Sequence, residues 1–230
     1  MDDAPSPPPD PSLETFDVHG VRLTVSSGRL NDPLRAALTQ RRYVAPEARA
    51  LASLLRPEDV YFEVGSSAGI LSTLAYRVVR DKARVHVYEP EPRMAGLVRR
   101  TWRTNGADGS VYECLLGAGP GEYPYYVSRA FWASSRLADY GHGTTIQVPQ
   151  RDFLQQLDKR GATFLLVEAQ GAERDLLDKV LSPKVRAIVA RLHPRIAGEI
   201  GLEAMLRCIA EQGFTQVSED GPTRAWVRGE

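Results

Sequence analysis

The chain has 230 residues, 43% hydrophobic and 25% charged, which is ordinary globular usage and long enough for one main domain around one core. Its 29 basic and 29 acidic side chains cancel, so no net positive field gathers nucleic acid. No apolar run approaches the roughly 20 residues of a membrane span, so no membrane is expected as partner.

Residues 1–13 are acidic and Pro-rich and lack the basic start and apolar stretch of a secretory signal; a disordered tail on a cytoplasmic protein is expected. Apolar positions then alternate from Phe16 to Val25 about His19-Gly20, which predicts a hairpin, and Asn31-Asp32-Pro33 breaks the pattern. Pro46 stands where a helix begins, Leu51, Leu54 and Leu55 give it an apolar face, and Arg56-Pro57-Glu58-Asp59 stops it. Residues 14–58 thus read as a hairpin-and-helix appendage to a main domain over 59–230.

From Val60 the pattern switches repeatedly between short β-rich runs and 3.6-residue stripes, the signature of βαβ units on a parallel sheet. Residues 60–64, 85–88, 111–116, 164–167 and 187–192 read as strands. Between them Ile70, Leu71, Leu74, Ala75 and Val78 share a helical face, as do Met94, Leu97, Val98 and Trp102, then Leu176, Leu177, Val180 and Leu181. Leu202, Met205, Leu206 and Ile209 stripe a last helix that ends at Gly213. Two short runs, 214–217 and 224–227, close the chain as an antiparallel hairpin about a turn at 219–222. The expected fold is α/β: a Rossmann-like, mainly parallel seven-stranded sheet with that terminal hairpin. Residues 117–149, rich in Gly, Tyr and Ser, read as a long irregular segment. Cys114 and Cys208 have no Cys or His in ligand spacing and read as reduced core residues.

Glu63-Val64-Gly65-Ser66-Ser67-Ala68-Gly69 lies between a strand and a helix, at the carboxyl end of the first central strand, where open α/β sheets bind ligands. Its glycines let backbone approach a ligand, and the helix start offers free N–H groups. The G-x-x-x-G spacing departs from the G-x-G-x-x-G of dinucleotide sites, and Glu63 would repel phosphate, which disfavours NAD. Glu89, ending the next strand in Val87-Tyr88-Glu89-Pro90, is placed to accept both hydroxyls of a ribose. An acidic loop and a ribose acid together fit S-adenosylmethionine, which is cationic and unphosphorylated. Each motif alone also reads as a packing turn or a solvated acid.

In this order the motifs resemble the FkbM family of S-adenosylmethionine-dependent methyltransferases. Glu63 to Gly69 is similar to that family's D-V-G-A-N-x-G loop, Tyr88-Glu89-Pro90 to its F-E-P, and Phe164 to Glu173 to its F-L-K-I-D-V-E-G-A-E. Tyr43 to Glu47, Asn105-Gly106, Leu115 to Ala118 with Gly121, and Ala133-Ser134-Ser135 fall where the family has similar segments, so the resemblance runs from Tyr43 to Pro194. It implies a class I methyltransferase fold, S-adenosylmethionine as donor, and a hydroxyl acceptor on a sugar, polyketide or other natural product. By position Glu63, Gly65, Ser66 and Gly69 would serve the methionine part, Glu89 the ribose, and Leu116-Gly117 the adenine edge. Three positions depart from the family: Glu168 replaces its Asp, Gln170 its first Glu, and Arg191 the acid before the fifth-strand His.

Methyl transfer is an in-line displacement in which alignment dominates, and a base within hydrogen-bond reach adds ~10²–10⁴-fold. His193, in Arg191-Leu192-His193-Pro194, is the first candidate base, and Glu168 the second; a histidine before proline also caps a loop, and a strand-end carboxylate also binds loop amides. His142 would reach the acceptor if residues 117–149 form a lid, and Tyr123, Tyr125, Tyr126, Phe131 and Trp132 would line an acceptor pocket, pack the loop or build a homodimer interface. Asp152, Glu168 and Glu173 are oxygen donors, but Gln170 weakens a metal cage and no metal is assigned. The expected partner is a small-molecule acceptor. A non-catalytic adenosylmethionine-binding module and an N-methyltransferase remain as alternatives.

Overall fold

The structure, a computed structural model, describes residues 12–66, 68–128, 134–136, 143–194 and 198–229. His142, Phe131, Trp132, Ser67 and the tail up to residue 11 lie outside them.

The chain opens with the antiparallel hairpin that the alternation predicts, β1 (Leu13–Val18) and β2 (Val21–Ser26), in which Val18, Val21, Leu23 and Val25 are buried. Leu13 already belongs to β1. Asn31-Asp32-Pro33 breaks the alternation as read above and also starts a helix, α1 (Asp32–Thr39): the Asn31 side-chain Oδ1 accepts from the Leu34 amide at 3.0 Å, and proline is tolerated in a first turn whose N–H groups have no helical partner. Next comes α2 (Ala45–Leu54), turning Ala48, Ala50 and Leu51 inward.

The main sheet alternates strand and helix: β3 (Tyr61–Val64), α3 (Ile70–Val79), β4 (Val85–Tyr88), α4 (Pro92–Asn105) and β5 (Ser110–Tyr112). The run predicted as one strand over 111–116 splits, because the chain leaves the sheet at Glu113-Cys114 and starts β6 (Leu115–Gly117) in a second sheet. Nor is 117–149 irregular throughout. It holds β7 (Gly121–Ser128) and the start of β8 (Gly143–Asp152), paired antiparallel, and β8 also pairs parallel with β6. Leu115, Tyr125 and Val148 form that small sheet's own core.

A helix not read in the sequence, α5 (Phe153–Arg160), follows, capped by Asp152, which accepts from the Gln155 amide at 2.8 Å. The chain then returns through β9 (Phe164–Val167), α6 (Glu173–Leu177), β10 (Ala187–Arg191), α7 (Glu199–Glu211), β11 (Phe214–Asp220) and β12 (Thr223–Arg228). The stripe that placed Val180 on a buried helical face fails there: α6 ends at Leu177 and Val180 is 77% exposed.

Seven strands lie in the order β11-β12-β10-β9-β3-β4-β5, and β12 runs against its neighbours. This is the Rossmann-like, mainly parallel seven-stranded arrangement with a C-terminal antiparallel hairpin that the sequence predicts. Consecutive strand residues face opposite layers. Tyr61, Val85, Phe164, Leu166 and Val189 join a core with α2, α3, α4 and the N-terminal hairpin, whereas Phe62, Val64, Tyr88, Leu165 and Ile188 pack on α5, α6 and α7. Both cysteines are free, Cys114 buried and Cys208 half-buried, and no described helix is long and apolar enough to cross a membrane.

Candidate active site

At the carboxyl ends of β3, β4 and β9 the sheet order reverses, and the loops there part to leave a cleft of about 710 Å³, open solvent included. The loop after β3 makes its floor. Gly65 has φ +77°, its amide donates to the Tyr88 carbonyl at 2.9 Å, and a Cβ there would stand 2.0 Å from the Glu168 carbonyl oxygen. Gly69, at φ +74°, admits the backbone of Val98 on α4, 3.0 Å from where its Cβ would be. Both glycines are thus required by packing between elements, and Gly65 also lines the cleft.

Glu89 is only 4% exposed yet lines the cleft; its Oε2 accepts from the Ser66 amide at 3.2 Å and its Oε1 from the Glu91 amide at 3.1 Å. Those amides fix the carboxylate in one orientation at the cleft wall. Leu115, Leu116, Tyr125 and Leu176 supply apolar wall, and Glu91 and Glu168 add two more carboxyls. Glu91 is met by Arg29 at 3.2 Å and by the Ser134 hydroxyl at 2.9 Å.

Of the predicted residues, Gly65, Glu89, Leu116 and Glu168 line the cleft, while Glu63, Ser66, Gly69, Gly117 and His193 do not. Ser66 acts through its amide on Glu89. Gly117 packs on Gln150, whose side chain a Cβ would meet at 2.6 Å. Glu63 is fully buried, and neither of its oxygens completes a hydrogen bond. Burial raises its pKa to about 8, partly opposed by the nearby hydroxyls of Tyr61, Ser66 and Ser72, with Glu89 pushing the same way as burial.

A second cavity adjoins the first, walled by Pro33, Leu34 and Ala37 of α1, by Arg42, Tyr43 and Val44 of the α1–α2 loop, and by Arg191. Glu168 and Gln170 belong to both walls. Burial also lifts Glu168 to about 8, reinforced by Glu47, Glu63 and Glu173 and opposed by Arg191, whose Nε lies 3.7 Å from its Oε1. Arg191 in turn donates to the buried Glu47 at 3.1 Å, so the arginine that departs from the family pattern ties α2, β9 and β10 together.

His193 stands back from both cavities, its Nδ1 3.0 Å from Glu173 Oε1. Glu173 accepts from the amides of Ala169 and Gly171, each at 2.9 Å, and so shapes the loop after β9. Asp152, the other oxygen donor considered, binds the amides of Gln155 and Gly119. Glu91, Ser134 and Arg136 are cleft residues that the sequence reading missed. The repeated acid of Glu89-Pro90-Glu91 was the available signal for the first; for Arg136 there was none.

No family model and no curated protein matches the chain. Among solved structures it is similar to a precorrin-6y C5,15-methyltransferase from Geobacter metallireducens GS-15, with 12% identity, a TM-score of 0.49, and 90% of this chain and 94% of that one covered. It is also similar to an O-methyltransferase from Bacillus cereus, with 12% identity, a TM-score of 0.46, and 86% and 92% covered. A ribosomal protein L11 methylase from Lactobacillus delbrueckii subsp. bulgaricus shows 12% identity and a TM-score of 0.45 over 83% of this chain and 80% of that one. At such values the likeness carries no argument about this chain's activity, which has to be argued from the two cavities that share Glu168.

Proposed function

We propose that the chain is an S-adenosylmethionine-dependent methyltransferase that binds its donor in the Glu89 cleft and a small hydroxylated acceptor in the cavity beside it, as the resemblance to FkbM enzymes implies. The observation that carries this reading is the placement of Glu168 and Gln170 in both walls, which lets one carboxyl face donor and acceptor together. The cleft fits the donor in kind. Glu89 accepts ribose hydroxyls, Leu115, Leu116 and Leu176 give apolar contact to a base, and the acids suit a cationic ligand. Bound there, the donor would supply an electrophilic methyl group.

The chain's own part is to align and to move one proton. Glu168, as carboxylate, takes the proton of the acceptor hydroxyl as the new bond forms; Arg191 steadies that charge. His193 is a positioning residue, holding Glu173 and through it the Ala169–Gly171 turn. Leu34, Ala37 and Val44 offer an apolar face to the acceptor body, with the exposed Arg42 at the rim.

Calorimetric titration with S-adenosylmethionine, S-adenosylhomocysteine and NAD tests the assignment. Micromolar binding of the first two is expected, roughly −8 kcal/mol, with a loss of ~100-fold in Glu89→Ala because two charge-assisted contacts to the ribose disappear. Binding of NAD in their place, or full affinity in Glu89→Ala, would overturn it.

A further inference from the structure

The short segment Ser134 to Arg136 is held far more firmly than its length explains. Ser135 exchanges backbone hydrogen bonds with Tyr126 of β7 at 2.8 and 3.0 Å. The Ser134 hydroxyl accepts from the Ser128 amide at 3.0 Å and donates to Glu91 at 2.9 Å, while the Ser135 hydroxyl donates to the Gln170 carbonyl at 3.2 Å. The segment therefore straps three elements together across the cleft: β7, the start of α4 and the loop after β9. Both serines are buried, at 6% and 1% exposure, although their side chains gain little from apolar burial. What the strap delivers is the next side chain, Arg136, into the cleft wall.

The charges in that wall give the side chain a purpose. Three carboxyls line the cleft, Glu89, Glu91 and Glu168, and among the described residues Arg136 is the one basic side chain that lines it with them. Arg136 has no ion-pair partner among the described residues, since Glu91 is already met by Arg29 and Glu168 is faced by Arg191. A lining with more acids than bases favours an ammonium or a sulfonium over a lone carboxylate. A ligand carrying both signs needs a cation at its acidic end, and a guanidinium matches a carboxylate through two parallel N–H donors.

We propose that Arg136 is the subsite for the carboxylate of an amino-acid-bearing nucleoside in this cleft, which is the methionine carboxylate if the donor assigned above is correct. The strap positions the guanidinium and the acids select the cationic remainder. Affinity for the amino-acid part of the ligand is thus set by Arg136, whereas affinity for the nucleoside part is set by Glu89 and the apolar wall.

Two probes separate these parts: S-adenosylhomocysteine, which carries the amino acid, and 5′-methylthioadenosine, which has the same nucleoside thioether without it. Calorimetry on the full chain is expected to show that Arg136→Gln weakens S-adenosylhomocysteine by roughly 10- to 100-fold and leaves 5′-methylthioadenosine unchanged, and that Arg136→Lys restores part of the loss. Unchanged S-adenosylhomocysteine affinity in Arg136→Gln, or an equal loss for both probes, overturns the proposal. Failure of the unaltered protein to bind either probe defeats the donor assignment, and this subsite falls with it.

Discussion

On one side of Glu168, the loops after β3 and β4 place glycine at each described position where the backbone turns left-handed, Gly65 (φ +77°) and Gly69 (φ +74°), and give both Glu89 oxygens an amide. On the other side, left-handed positions fall on residues with side chains: Gln170 (φ 47°), Val44 (φ 48°) and, next to the cavity, Arg41 (φ 55°), three of the five such residues described. A β-branched residue at positive φ is a conformational outlier, costing ~1 kcal/mol or more. The loops after β3 and β4 turn on glycine, whereas the second cavity's wall keeps side chains where glycine would be easier, with Gln170 common to both walls. Strain of this kind persists where surroundings impose it, and it gathers at binding sites. Here it falls on Val44 and Gln170, which line the second cavity.

The contrast breaks most visibly at Gly65. Replacing it by alanine puts a methyl group 2.0 Å from the Glu168 carbonyl and also forces a side chain onto φ +77°, so Gly65→Ala should lose ~3 kcal/mol or more in urea denaturation. Gln170→Gly relieves a left-handed residue and should leave stability within ~1 kcal/mol of the parent. If the two variants unfold together, the two sides of the site are not built differently.

The next effect is in pH. Glu63 and Glu168 are each raised from 4.5 to about 8, so between those values the folded chain holds protons that the unfolded chain has released. Stability is then full below pH 4.5 and falls as pH rises through about 8, the opposite of a salt-bridged carboxylate. Melting temperature followed from pH 5 to 9 should decline and then level off, and Glu63→Gln should flatten part of that decline. Turnover should move the other way, rising toward a plateau above pH 8 as Glu168 becomes a base, and Glu168→Gln should remove that rise. A melting temperature indifferent to pH would show that both groups ionise normally.

The same division decides what was legible in the sequence. The order of strands and helices around the sheet was readable because each element carries its own period, and Gly65 and Glu89 stand in short contiguous motifs at strand ends. The second cavity was not, since Leu34, Tyr43, Glu168 and Arg191 come from four separate stretches and no local pattern joins them. The helix after Asn31-Asp32-Pro33 was not legible because the same residues that break a strand also cap a helix, and whether one follows depends on whether Leu34 and Leu38 find a core to enter. The split at Glu113-Cys114 was hidden for a related reason: apart from Glu113, 111–116 is apolar enough for one strand, and the small sheet with Tyr125 and Val148 draws Leu115 away.

The smallest effect would sharpen the comparison most, because it loosens one side alone. His19 sits at φ 54° in the turn of the first hairpin, and its Nε2 lies 2.9 Å from the carbonyl oxygen of Tyr43 in the acceptor-side wall. Asparagine keeps the tolerance for a left-handed backbone but is too short to span that contact, so His19→Asn removes the bond without adding backbone strain. The expected cost is ~0.5–1.5 kcal/mol of stability. Binding of S-adenosylhomocysteine should be unaltered, since Gly65, Glu89 and Leu116 take their positions from β3, β4 and β6. A loss of binding in this variant would mean that the second cavity's wall and the cleft move together, and that Glu168 passes the disturbance from one cavity to the other.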